Sequence, residues 1–523
     1  MVASGAGAAK PKLLVFGVDA GSPALFERWC DSGDMPNLAQ LMCSGAWRHV
    51  QNPYGLEAGS VWPVFQSGLL PGRQPQYDGR RAFVASTYSS RWYQPGETPD
   101  TLWRQLSDQG LRCLLVDPPY THIDKAINGT MVVDWGGHVP ANGHDFDFQA
   151  HPAGIADEIR RLVGEDPLGG VMCDRMGPET VADHERFRDL YIQRIGQKAE
   201  LAIHLMQTTT WDVGFIGSSD LHCTGHHLWH VNDPQHPQYS AALEAALGEP
   251  IKDCYRAFDR SLGKMLAAMP AETTVMLFGS HGMGPSYSGT GLLDRILQRI
   301  DAGRPAASRR TLKGNIRALW HRVPKQLRGK VKSLRKPFRG MLRPAPFVGD
   351  RQGRRYFEVF ANNATGGIRL NIEGREGHGL VARSDVAAII QQLKAELFDI
   401  INEETGEPLV EDVVISGERY PGPYEDALPD LLVLWNRSGP IRTVSSPAIG
   451  RLSQQYPDNR TGDHTPDGLM VLAGPTIAAV GELPLIRTED IAPSIAHFFG
   501  LALSDSDGEV FELTPAETLS VAL

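Results

Sequence analysis

The sequence predicts an α/β fold, a mostly parallel sheet flanked by helices. Short runs of branched apolar residues recur along the chain, longer stretches with helical apolar spacing lie between them, and the runs end in polar or glycine-rich loops. In chain order the predicted strands are 13–18, 113–116, 131–133, 213–216, 274–278, 431–434 and 469–472. The first is the run Leu13-Leu14-Val15-Phe16-Gly17-Val18, stopped by Asp19. Long helices are predicted at 184–206, where Phe187, Leu190, Ile195, Leu201 and Leu205 recur at helical spacing, and at 240–269. In open sheets of this kind ligands collect at the carboxyl ends of the strands. Asp19, the 220–230 segment and Ser280-His281 fall at such ends, and Asp463-His464 stands just before the last strand.

At roughly 150 residues per domain, 523 residues make two to four units or one large core with insertions. The division predicted here is 10–300 as the first part of the core, 301–345 as a basic insertion, and 346–523 as a small subdomain and the return of the core. A content of 41% hydrophobic and 21% charged residues excludes a wholly disordered or fibrous chain. Fifty-one Lys and Arg against 61 Asp and Glu give a formal charge of -10, so the molecule as a whole is no general polyanion binder. The six cysteines, at 30, 43, 113, 173, 223 and 254, form no CxxC pair, which argues against a disulfide framework and a cysteine zinc knuckle. Asp19 ends the N-terminal apolar run too early for a signal-peptide core, and no apolar stretch of about 18 residues occurs. The expectation is a soluble cytoplasmic protein, with any membrane contact peripheral.

Between Arg304 and Arg343 the chain carries fourteen Lys and Arg and no Asp or Glu. Leu312, Ile316, Leu319, Trp320, Val323 and Leu327 interleave with these bases at roughly helical spacing, and Pro324 and Pro337 break the run. One reading is a flexible, solvated insertion. Another is a basic amphipathic face that docks on an anionic membrane surface. Sequence-specific nucleic-acid binding is the weakest reading, because no base-reading module accompanies the charge.

Of seventeen histidines, four crowd into His222, His226, His227 and His230. His222 and His226, four apart, can turn two imidazoles toward one ion. An imidazole that only serves a core or surface hydrogen bond fits that spacing equally well. His281 follows an apolar strand in Ser280-His281-Gly282-Met283-Gly284-Pro285, and His464 stands in Gly462-Asp463-His464-Thr465-Pro466.

The order of these segments resembles the alkaline phosphatase superfamily, in its type I phosphodiesterase and phosphomutase-like branch. The resemblance starts at Val15-Phe16-Gly17-Val18-Asp19 and continues through Met35-Pro36-Asn37-Leu38 to Trp62-Pro63-Val64-Phe65-Gln66-Ser67-Gly68-Leu69-Leu70-Pro71. It resumes at the Ser280-His281-Gly282 and Gly462–Pro475 segments, and ends with Arg487-Thr488-Glu489-Asp490-Ile491-Ala492-Pro493. It implies an alkaline phosphatase-like core with a small C-terminal subdomain. It also implies two divalent ions, commonly zinc with manganese as an alternative, acting with a Ser or Thr nucleophile on an anionic ester. Carried over by position, Asp19 and His281 match ligands of the ion beside the nucleophile, and His226 and His464 match ligands of the other.

Several positions depart from the pattern. The place of the hydroxyl nucleophile, four before Trp62, holds Ala58; Ser60, the nearest hydroxyl, is the candidate catalytic residue, and Glu57 is the nearest carboxylate. Ser280 replaces the Asp of the Asp-His motif, and His222 replaces the first Asp of the Asp-x-x-x-His motif, with Asp220 two residues too early. This leaves His222, His226 and His464 as a three-histidine site suited to zinc, and a thinned second site of Asp19, His281 and Ser60 or Ser280. Such a set lowers the pKa of a coordinated water toward about 7, which supports hydrolysis without a covalent intermediate. The expected activity is therefore metal-dependent hydrolysis or transfer at a phosphate mono- or diester. A sulfate-ester hydrolase and a catalytically degenerate binding or scaffold protein are the alternatives. Arg369 and Arg375 are candidates for contacting the anionic substrate, with a salt bridge the plainer role for each. Asp134, His138 and Asp145 are candidates for the pocket mouth or for an ordinary loop.

Overall fold

Residues 11–78, 81–137, 147–169, 179–303, 351–362, 364–454, 459–511 and 513 are described by a computed structural model. The strand Lys12–Val18 shows why the central sheet is covered on both sides. Leu13 and Val15 join one buried cluster, while Leu14, Phe16 and Val18 join another. Period-two alternation with both faces apolar is what a strand between two helical layers requires. Five strands run parallel in the order Thr273–Gly279, Lys12–Val18, Val213–Ser218, Cys113–Val116, Gly129–Val133. Asp467–Ala473 adds antiparallel beyond Thr273–Gly279 and Gln149–His151 antiparallel beyond Gly129–Val133, while Ala46–Gln51 pairs antiparallel with Asp467–Ala473 and so runs in the direction of the central five. One face carries the long helices Val181–Thr208 and Pro250–Ala268 together with Asp220–Leu228. The other carries Glu57–Ser67, Leu102–Asp108 and Ile491–Phe498. The chain thus has the α/β architecture of a largely parallel sheet flanked by helices.

A second, four-stranded antiparallel sheet, in the order Tyr356–Val359, Thr365–Leu370, Leu431–Trp435, Val410–Ile415, has its own core with the helices Thr290–Ala302 and Val386–Phe398. The 431–434 run predicted for the main sheet belongs here. Leu431 and Val433 face one cluster and Leu432 another, so burial on both sides gives it the same continuous apolar signature as a central parallel strand. The stretch 240–269 is two helices, Ala241–Leu247 and Pro250–Ala268. Gly248, with φ +65°, ends the first, and Pro250 opens the second. The basic run 304–343 lies outside the described residues, as do His138, Asp145 and Cys173. The other five cysteines are free thiols. Among the described residues no helix is long and apolar enough to cross a membrane.

Candidate metal centre

Four histidines meet at the carboxyl ends of the central strands. His222 and His226 lie one turn apart on Asp220–Leu228, the helix that follows Val213–Ser218. His281 follows Thr273–Gly279, and His464 arrives on Gly462–Thr465, which pairs antiparallel with Gly282–Pro285 in a register that sets Met283 opposite His464. His226 Nε2 stands 3.1 Å from His222 Nε2 and 3.2 Å from His464 Nε2. His226 Nδ1 lies 2.7 Å from the Gly462 carbonyl. A carbonyl only accepts, so Nδ1 carries the proton and the neutral ring presents its lone pair at Nε2, toward the other two nitrogens. Gly462 packs so closely that a Cβ there would come within 2.3 Å of the Gly225 carbonyl oxygen, so only glycine allows this approach. Burial holds His464 well below the ordinary imidazole value, with the neighbouring His281 and His226 adding to it, and burial also lowers His281. Both are therefore kept neutral, the form that can act as a ligand.

Asp19 forms the second half of the site. Its Oδ1 accepts from Trp62 Nε1 at 2.9 Å and from the Ser280 hydroxyl at 3.2 Å. The carboxylate lies 3.5 Å from His281 Nε2 and 4.0 Å from His222 Nε2, linking the two halves. The next residue, Ala20, takes a left-handed φ of +50°, and its N–H donates to Ser280 Oγ at 3.2 Å. Ser280 thus acts through its hydroxyl on Asp19 and the backbone beyond it.

The family profile described as type I phosphodiesterase / nucleotide pyrophosphatase matches residues 13–462. The chain belongs to this family, and with it to the alkaline phosphatase superfamily. Among solved structures the chain is similar to murine ectonucleotide pyrophosphatase / phosphodiesterase 5, with a TM-score of 0.48 and 11% identity over 95% of this chain and 97% of that one. It is also similar to an inactive form of that murine protein in complex with AMP, with a TM-score of 0.49 and 12% identity over 96% and 98% of the two chains. No curated protein matches the chain.

Within this family member, the remaining candidates lie as follows. Ala58 and Ser60 are in the first turns of Glu57–Ser67, and the Ser60 hydroxyl is buried and donates to the Leu56 carbonyl at 2.9 Å. Asp220 is withdrawn from the histidines, since Arg194 Nε donates to its Oδ1 at 2.6 Å and Ser218 Oγ to its Oδ2 at 2.9 Å. Arg369 donates to Glu376 at 2.7 Å and to the Leu428 carbonyl at 2.8 Å; Arg375 grips Asp430 at 2.7 Å. Both guanidinium groups are therefore committed to buried contacts of the second sheet. Asp134, with φ +63°, lines a small pocket with Asp19, Asp117 and Lys198. His227 and His230 project from other faces of their helical segment, where Tyr191 Oη meets His227 Nδ1 at 2.7 Å and Thr461 Oγ1 meets His230 Nδ1 at 3.0 Å.

Arg437 and Asn52 carried no motif signal, and Glu57 was marked in the sequence only as the carboxylate beside Ala58. Arg437 donates to the carbonyls of His464, Pro285 (2.7 Å) and Asp463 (3.4 Å), which clamps the hairpin that delivers His464. Asn52 donates to the carbonyls of Ser280 at 2.7 Å and Pro466 at 2.6 Å, tying the segment before Glu57–Ser67 to both histidine strands. Glu57 is buried, accepts from the Gly55 N–H at 2.7 Å, and has its carboxyl pushed up to about 7 by that burial.

Proposed function

We propose that the protein is a metal-dependent phosphoric ester hydrolase, acting on a phosphodiester, whose divalent cation is held by His222, His226 and His464. The observation that carries this reading is the convergence of three imidazole nitrogens with ligand atoms within 4.8 Å of one another. Zinc–nitrogen bonds of about 2.0–2.1 Å in a tetrahedron would set ligand nitrogens about 3.3 Å apart, close to the spacings around His226. The Gly462 carbonyl fixes the tautomer of the central ring, a common outer-shell device in zinc sites. Asp19 and His281 extend the site toward a second ion, with Ser280 a weaker donor than the carboxylate it replaces.

When bound, a cation here supplies Lewis acidity to the ester and makes an attacking water more acidic. The chain supplies the rest. Trp62 and Ser280 hold the Asp19 carboxylate in one orientation. Ala58 offers no hydroxyl, so a water attacks and the displacement proceeds in one step. Glu57, on the residue before Ala58, is poised near neutrality to hold or release a proton. The basic run 304–343 fits an anionic surface; deleting it should abolish salt-sensitive binding to anionic vesicles, and unchanged binding would remove that role.

Purified protein should carry stoichiometric zinc or manganese and hydrolyse aryl phosphodiesters faster than aryl sulfates, and His226→Ala should lose both metal and activity. A second reading, a non-catalytic ligand-binding relative, is favoured by Ala58 and by the withdrawal of Asp220 into its pair with Arg194. Protein that folds metal-free and stays inert after metal is added would establish that second reading instead.

A further inference from the structure

The three rings of the centre differ in what their second nitrogen meets. His226 Nδ1 donates to the Gly462 carbonyl at 2.7 Å, and His222 Nδ1 lies 3.9 Å from Cys223 Sγ. His464 Nδ1 is buried and has no hydrogen-bond partner. A neutral imidazole that presents its lone pair at Nε2 carries its proton on Nδ1, so this atom is a donor that needs an acceptor. A carboxylate oxygen stands beside it, with Asp463 Oδ1 3.6 Å away. That distance is too long for a hydrogen bond, and closing it to about 3.0 Å takes only a small turn of the ring. Asp463 is itself buried and held from two sides. Its Oδ1 accepts from the His464 backbone N–H at 2.9 Å and from Arg460 Nη2 at 3.3 Å, and Arg437 Nη2 donates to its carbonyl at 3.4 Å. A buried carboxylate is costly unless it is paired, and here it is placed between a buried guanidinium and the histidine that reaches the metal centre.

We propose that Asp463 is a positioning residue of the metal centre: its carboxylate accepts the Nδ1 proton of His464 and so fixes the tautomer and ring orientation in which Nε2 can ligate. A carboxylate behind a ligating imidazole makes that imidazole a stronger donor as well as an oriented one. His226 is then backed by a neutral carbonyl and His464 by an anion, which Arg460 steadies. The inference rests on the metal reading above and adds to it a residue that touches neither cation nor substrate.

The test uses the full-length protein and Asp463→Asn, which keeps the size of the side chain and an oxygen for the His464 N–H but removes the charge. Zinc affinity, read by competition with a chromogenic chelator, should fall about tenfold or more in Asp463→Asn, with the circular dichroism of the parent retained. In zinc-loaded protein with isotope-labelled histidines, a downfield Nδ1–H resonance of His464, assigned by its loss in His464→Gln, should be present in the parent and move upfield in Asp463→Asn. A merely structural role for Asp463 would lower the melting temperature and leave that resonance where it is. Should Asp463→Asn fail to fold, the parent alone decides, through the presence or absence of the downfield resonance. Zinc affinity within threefold of the parent's, or a zinc-loaded parent without that resonance, overturns this inference and leaves the metal reading standing. A parent that takes up no zinc overturns both.

Discussion

Two groups of buried histidines lie on either side of one helical segment, and they are built for different work. In the first, His222, His226 and His464 bring Nε2 atoms to 3.1 and 3.2 Å around His226. In the second, His184, His230 and His236 keep ring centroids 5.2 and 6.0 Å apart, His230 is met by Thr461, and His184 lies 3.6 Å from Glu179. Crowding of histidines is common to both. What separates them is where the nitrogens point. A hydrogen bond at Nδ1 of His226 turns its lone pair toward two other imidazoles, whereas in the second group His230 Nδ1 meets Thr461 Oγ1 and His236 Nδ1 accepts from the Gln238 N–H.

The largest expected effect tests that separation directly. His226→Ala should lower zinc affinity by a hundredfold or more, read by competition with a chromogenic chelator, while His230→Gln should leave it within threefold. Equal losses in both variants would erase the distinction.

Next comes acid stability. Burial, with neighbouring histidines adding to it, lowers His230 to about 3, and burial lowers His236 to about 4. Asp233 faces His236 and opposes that shift. Between about pH 6.5 and 4 the unfolded chain therefore binds more protons than the folded one, so stability present above pH 6.5 is lost as pH falls. The slope should reach about 1.4 kcal/mol per pH unit for each histidine, measured by urea unfolding across that window. His230→Gln should flatten the slope, and an unchanged slope would show that this ring is not kept neutral by folding.

Arg437→Ala sharpens the comparison from the backbone side, because it frees the hairpin that brings His464 to the first group. It should cost about 2 kcal/mol in unfolding experiments and weaken zinc binding without touching a ligand. The smallest effect belongs to Glu57→Gln. The folded carboxyl is raised to about 7 from an ordinary 4.5, so its charge opposes folding increasingly between those values. The amide should remove that pH-dependent penalty, so that its stability changes less than the parent's between about pH 4.5 and 8 in urea unfolding, and should reduce hydrolysis.

Much of the core was legible from apolar runs. Cys113–Val116 has the predicted bounds, and Lys12–Val18 and Thr273–Gly279 exceed the prediction by one residue or one at each end. Strands and helices that bury a face leave a period in the sequence, and that period survives without any knowledge of neighbours. Which sheet a strand joins leaves no such trace. Leu431–Trp435 reads like a central strand because both of its faces are covered, although the cover is a different core.

By itself, the sequence determined the α/β class, the family, and the residue types available at the strand ends, since these depend on local pattern and on motif order. Tertiary structure alone decided which of those residues meet. It gathered His222, His226 and His464 from positions up to 242 apart, paired Asp220 with Arg194, committed Arg369 and Arg375 to the second sheet, and turned the Ser60 hydroxyl onto its own helix. The physical reason is that ligation and ion pairing depend on distances of about 3 Å between side-chain atoms, and such distances are set by packing across the fold rather than by neighbours along the chain.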